Sequence, residues 1–218
     1  LGIEKLAEIV KLGFYTMGRV MAASVIGVLW TVPVGVFIGT NPRLSKILQP
    51  VVQVAASFPA NMLYPFVAMV YLEHSVNFEI GSIPLMMLGT QWYILFNVIA
   101  GAMAIPNDLK EAATVFKLSG WQKWRRLILP AIFPYLITGC ITASGGAWNA
   151  SIVSELVIWK GNELSATGLG NYISQVTAVG DWPGIIGGIV VMCAYVVIIN
   201  RLFWRKLYHL AETKYHMN

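Results

Sequence analysis

Apolar residues run through this chain in five long blocks separated by short polar breaks. Sliding hydropathy places them at about Phe14 to Ile38, Val51 to Leu72, Ile83 to Ile105, Leu127 to Ile158 and Pro183 to Trp204. Each reaches the roughly 20 residues that a helix needs to cross a hydrocarbon core. Most are apolar all round rather than along one stripe, which separates them from the amphipathic helices of a soluble domain. Short alternating segments of the kind that build membrane β-barrels are absent. The pattern therefore predicts an all-α, polytopic membrane bundle of about five transmembrane helices, one domain over residues 1–218. Ahead of the first block, Ile3, Leu6, Ile9 and Val10 are spaced to give one apolar face, and the stretch Ile3 to Lys11 is expected to lie along a membrane interface.

Composition agrees with the pattern. The 218 residues are 57% hydrophobic and only 11% charged, a membrane balance. Net charge is +5, which raises the question of nucleic acid, but the bases gather beside span ends, where membrane orientation already accounts for them. Arg43 and Lys46 follow the first span; Lys110, Lys117, Lys123, Arg125 and Arg126 lie between the third and fourth; Arg205, Lys206 and Lys214 follow the fifth. Connections 73–82 and 160–182 hold Glu73, Glu79, Glu163 and Asp181 with Lys160 as their one base. The positive-inside rule then puts the C-terminus in the cytoplasm and the N-terminus of this chain outside. The chain opens on Leu1 without a signal-peptide pattern and is expected to be processed or part of a longer one.

Candidate chemistry is sparse. There is no G-x-x-x-x-G-K-[ST] phosphate loop, no H-E-x-x-H and no G-x-S-x-G, so neither ATP binding nor hydrolytic catalysis is expected of this chain. His74, His209 and His216 are scattered outside the spans and suggest no metal site. Cys140 and Cys193 sit inside apolar blocks and read as small hydrophobes.

Polar groups inside hydrocarbon are costly and must turn toward protein or water. By that rule Arg19, Gln53, Ser57, Asn61, Gln91, Asn97, Ser144, Asn149, Ser151 and Glu155 are candidates either for helix-packing bonds or for lining a path. Pro59 and Pro65 in the second block and Ser144-Gly145-Gly146 in the fourth should break or loosen their helices. These two spans are the best candidates for a path, with Ser57, Asn61, Ser144, Asn149, Ser151 and Glu155 along it. Arg19, near the outer end of the first span, either snorkels to the interface or meets an anion. The pairs Gly35/Gly39 and Gly184/Gly188 allow close helix contact, within the bundle or between subunits.

The stretch 107–126 is a basic amphipathic hairpin. Asn107 or Asp108 can cap a helix whose side is lined by Leu109, Ala112, Ala113 and Phe116. Ser119-Gly120 should end it, and a second short helix with Trp121, Trp124, Leu127 and Ile128 follows. Taken alone, the hairpin suits either docking of another protein or anchoring at headgroup depth.

Glu111-Ala112-Ala113, Trp121 and Leu129-Pro130 stand at the spacing of the EAA loop, and here the chain resembles the permease subunits of binding-protein-dependent ABC importers. Similarity extends through Arg19, Pro33-Val34-Gly35, Gly39, Leu48, Pro50, Gln53, Phe58-Pro59 and Pro65, then Pro134, Gly139, Ala147-Trp148, Ser154-Glu155 and Gly168-Leu169-Gly170. The branch it most resembles handles nitrate, sulfonate, taurine and bicarbonate. The resemblance implies a type I ABC importer permease fold in a bacterial inner membrane. It also implies a separate ATPase subunit carrying ATP and Mg, an external solute-binding protein and a second permease half, identical or homologous. The ATPase-docking surface it implies comprises Glu111, Ala112, Ala113, Thr114, Phe116, Lys117, Leu118, Ser119, Gly120 and Trp121. One departure stands out: Lys117 occupies the position where the family usually has glycine. Because positive φ is expensive for Lys, the turn is expected to shift toward Ser119-Gly120. The competing reading is an ion-coupled transporter or channel, which would usually carry more ionisable groups at mid-membrane than these spans do.

Overall fold

The computed structural model describes residues 2–214; Leu1 and residues 215–218, including His216, lie outside them. Among the described residues, ten α-helices and one small hairpin of strands follow in order. Helix α1 (Ile3–Gly39), α4 (Phe78–Met103) and α7 (Leu129–Ser154) form the centre, with α1 and α7 both packed along α4. A fourth long apolar stretch runs Trp182–Lys214, as α9 (Trp182–Ile199), a π-helical turn (Asn200–Trp204) and α10 (Arg205–Lys214). The second block is bent: α2 (Pro42–Ser57) and the segment Ala60–Glu73, which ends in α3 (Tyr64–Glu73), meet at 71°. Among the described residues, four helices are thus long and apolar enough to span, or five spans if the bent pair counts as one.

The bend has a local cause. Proline disfavours the helical region for the residue before it, and Phe58 and Pro59 both take extended backbone, with ψ of 128° and 107°. Pro65, by contrast, sits in the first turn of α3, where its missing N–H costs nothing. The expected loosening at Ser144-Gly145-Gly146 does not occur, since α7 runs unbroken through them. Asn41 and Asn77 cap α2 and α4 through their side chains.

Small residues set how closely the centre packs. A Cβ on Gly39 would come within 2.6 Å of the Ile99 carbonyl oxygen, and one on Gly35 within 2.7 Å of Val98, so this pair serves α1–α4 packing. Gly188 does the same against Ile173. Core side chains fall into two main clusters along the bundle, one around Ile9, Met86, Trp148 and Leu169, the other around Val36, Val98, Ile132 and Trp204.

Three expectations need correction. The stretch Ile3 to Lys11 is no separate interfacial element but the first turns of α1. Of its four apolar residues only Ile9 is buried. The Tyr195 hydroxyl donates to the Val10 carbonyl at 2.8 Å and Lys5 pairs with Asp181 at 3.2 Å, so α9 holds these turns in line with the helix. The far end of the fourth block, 156–158, is not helical. After Ser154 the chain forms an antiparallel hairpin, β1 (Leu156–Trp159) with β2 (Asn162–Ser165), closed by Lys160 and Gly161 at positive φ. The following connection carries an unexpected helix, α8 (Leu169–Ala178).

Candidate functional site

Two termini of the bundle carry its polar chemistry. At the end where α1 stops, α4 gives way at Pro106 to α5 (Asn107–Val115). The side-chain cap expected from Asn107 or Asp108 is absent: Pro106 is the capping residue and its carbonyl accepts from the Lys110 N–H. The helix closes in a Schellman turn, with the Leu118 N–H donating to the Ala113 carbonyl at 2.8 Å and the Lys117 N–H to Thr114 at 3.0 Å.

Lys117 takes φ of 50° in that turn. The reversal therefore stays at the position where the resembled loop has glycine, and the expected displacement is overturned. Leu118 explains why: it packs over Ala113 with Ile105, Leu127 and Ala131, which holds the turn against a left-handed penalty of about 1–2 kcal/mol. Gly120 also has positive φ. The second short helix is not free-standing either. From α6 (Gly120–Lys123) the chain passes through a π-helical turn (Trp124–Ile128) directly into α7, one continuous stretch Gly120–Ser154.

The expected apolar side of α5 splits. Ala113 is buried and Ala112 half-buried, whereas Phe116 is 76% exposed and Trp121 71%, with Val115 beside them equally open. Glu111, Thr114, Lys117 and Ser119 surround this tip, all exposed. An elbow fixed by internal bonds thus presents uncovered aromatics.

At the opposite end lies a buried ionic clasp. Arg19 is 6% exposed and Glu155 fully buried, paired at 2.9 Å. Arg19 also pairs with Glu79 and donates to the carbonyls of Glu79 and Thr167. Glu155 further accepts from the Thr16 hydroxyl at 2.9 Å and from the N–H groups of Gly170 and Asn171, while Thr16 accepts from the Leu169 N–H. The carboxylate therefore caps α8, where the first N–H groups of a helix favour negative charge. Gly170 is required there: a Cβ would strike the Ser151 main chain.

These contacts sort the residues expected along a path. Arg19 and Glu155 are closed into the clasp, and Ser151 and Ser144 are buried, Ser151 donating to the Trp148 carbonyl and Ser144 accepting from Trp204. For all four, a partner within the bundle satisfies the polar group, so they leave the path assignment. Ser57, Asn61 and Asn149 remain on the surface. Ser57 lines a groove of about 580 Å³ between α2 and α4 with Gln49, Gln53, Trp92, Tyr93 and Phe96. Beside it Thr138, Thr142 and Asn149 stand exposed along one face of α7. Sequence reasoning missed Trp92, Tyr93, Thr138 and Thr142, although the 138, 142, 149 spacing marks a polar helix face. Gln91 faces inward, accepting from Trp30.

Bent and continuous apolar helices around a projecting basic elbow define a helical bundle of the multi-pass membrane class. The chain belongs to the family described as binding-protein-dependent transport system inner membrane component, whose model matches residues 31–206. Among curated relatives, it is 28% identical over 207 residues to the nitrate import permease protein NrtB of Synechocystis, covering 94% of this chain and 66% of that one. It is 27% identical over 182 residues to the bicarbonate transport system permease protein CmpB of the same organism, covering 79% and 61%. The chain thus spans less than two thirds of the length of these relatives. Its fold matches a chain of the MetNI methionine ABC transporter in an inward-facing crystal form with a TM-score of 0.76, covering 97% of this chain and 99% of that one at 18% identity.

Proposed function

We propose that this chain is one permease half of an ATP-driven importer for a small anion of the nitrate, bicarbonate, sulfonate or taurine class. In this reading α5 inserts into a separate ATPase subunit that binds ATP and Mg, and substrate arrives from an external binding protein. The observation that carries it is the elbow tip. Folding leaves Phe116 and Trp121 uncovered at the end of a turn that internal bonds hold rigid, and burying each such side chain contributes about 1.5–3 kcal/mol. Family membership and the relatives' nitrate and bicarbonate transport support both the coupling and the anionic cargo.

The groove at Gln49, Gln53, Ser57, Trp92 and Tyr93, with Thr138, Thr142 and Asn149 beside it and Asn61 beyond the bend, is this chain's share of the path. A polar face on a spanning helix is costly against lipid, so a second permease half, identical or homologous, faces it across a two-fold arrangement. Its donors are neutral amides and an indole, suited to pass an anion without trapping it, while the Ser57, Thr138 and Thr142 hydroxyls donate to carbonyls four residues back in their own helices. Basic ends lie in the cytoplasm, and the N-terminal turns of α1 lie outside. ATP-driven closure of the partner favours one position of the docked elbows, and α7, continuous with α6, carries the displacement along the bundle.

The test is uptake and ATP hydrolysis by the reconstituted complex carrying Glu111→Lys or Ala112→Arg. Hydrolysis without stimulated uptake, or loss of the ATPase subunit on purification, is expected. Uptake at wild-type rates in both variants would falsify the docking role.

A further inference from the structure

Behind the elbow, the last turns of α1 and the start of the α6–α7 stretch line a cleft of about 540 Å³ that reaches Thr114 and Gly120 at the back of the elbow. Its floor is apolar, made by Pro33, Phe37, Leu127 and Ile128, and Lys110 and Lys123 stand at its rim with the Trp124 indole. A second hollow adjoins it, sharing Phe37 and Thr40 and adding Arg43. Among the described residues no carboxylate lies within ion-pair distance of Lys110, Lys123 or Arg43. Glu111 follows Lys110 directly, but consecutive helical residues do not face each other.

Three unpaired cations around one apolar floor, at the end of the bundle where Trp and Lys meet, form a complement to a molecule with an anionic head and a hydrocarbon tail. We propose that this cleft is a binding site for one anionic phospholipid, its phosphate between Lys110 and Lys123 and an acyl chain along Phe37 and Ile128. Free phosphate would meet the same lysines but gain nothing from the floor. A zwitterionic lipid would bring its own cation beside them. Each base near an anionic headgroup strengthens binding about fivefold, so the two lysines together give a preference on the order of thirtyfold over phosphatidylcholine. The site is independent of the docking reading, because its occupancy is measured without transport.

The experiment is native mass spectrometry of the detergent-extracted protein with whatever subunits co-purify, titrated with phosphatidylglycerol or phosphatidylcholine, with and without inorganic phosphate. The variants are Lys110→Gln/Lys123→Gln and, as a basic control on α10, Lys206→Gln. Expected is one retained phosphatidylglycerol in wild type and in the control, lost in the double variant and not displaced by inorganic phosphate. Should the double variant fail to assemble, Lys123→Gln alone, at an exposed position, is expected to weaken retention about fivefold. Equal retention in wild type and lysine variants, no preference over phosphatidylcholine, or full displacement by phosphate would each overturn the site.

Discussion

The two ends of the bundle handle polar groups in opposite ways. At the clasp, the charged groups are used within the chain: Arg19 reaches Glu79, Glu155 and two carbonyls, and Glu155 accepts from two helices, α1 and α8. At the elbow, backbone bonds close the turn, and the side chains of Glu111, Phe116, Lys117 and Trp121 face out. A closed network fixes α1, α4, α7 and α8 relative to one another. An open one has a fixed backbone and an uncovered surface, which is what a mechanical contact with another protein requires.

Breaking the clasp should have the largest effect. Arg19→Ala leaves Glu155 buried without its cation, and removing one partner of a buried pair costs about 3–5 kcal/mol. The expected outcome is loss of monodisperse protein on extraction in detergent. Glu155→Gln should come close to it: the groups converging on that carboxylate are all donors, and an amide replaces one acceptor oxygen by another donor. Wild-type thermal stability in Glu155→Gln would mean that the network is not closed as described.

At the elbow, Ala113→Leu must find room among Ile105, Leu127 and Ala131, and overpacking of this kind costs about 1–3 kcal/mol. It should lower the melting midpoint and weaken ATPase retention together, whereas Glu111→Lys, on the exposed side, should weaken retention alone. That separation sharpens the contrast between a fixed backbone and an open surface. Lys117→Gly should act in the other direction, raising stability by about 1 kcal/mol by relieving positive φ; an unchanged or lowered midpoint would show that Lys117 is held by something besides its turn.

The smallest effect belongs to Asp181. The Gly184 N–H, and after it Lys5, holds this carboxyl below the ordinary carboxylate value. A depressed folded value contributes stability above about pH 4 that is lost as pH falls through it. Hydrogen exchange in the first turns of α1 should therefore rise slightly below pH 4 in wild type and show no such step in Asp181→Asn.

Much of this was legible in the chain. Apolar block length gave the spans, because a helix in lipid must be long and apolar, and Phe58-Pro59 marked the bend because proline constrains its predecessor. What escaped was set by tertiary contact. Nothing local distinguishes Arg19 snorkelling from Arg19 buried; the choice was made by Glu79 and Glu155, 60 and 136 residues away in sequence. Lys117 defied its backbone preference because Leu118 found a hydrophobic seat on Ala113. Ser144 and Ser151 were open to either packing or path because polarity alone does not say which way a helix faces; the fold turns both inward, and it leaves Thr138, Thr142 and Asn149 exposed along one face of α7.

The most direct measurement of the coupling account is labelling of Phe116→Cys by a membrane-impermeant maleimide in a Cys193→Ser background, Cys140 being buried. Reaction in inside-out but not right-side-out vesicles, and protection when the ATPase subunit is bound, is the result predicted. Reaction from the outer side, or equal reaction with and without that subunit, would contradict it.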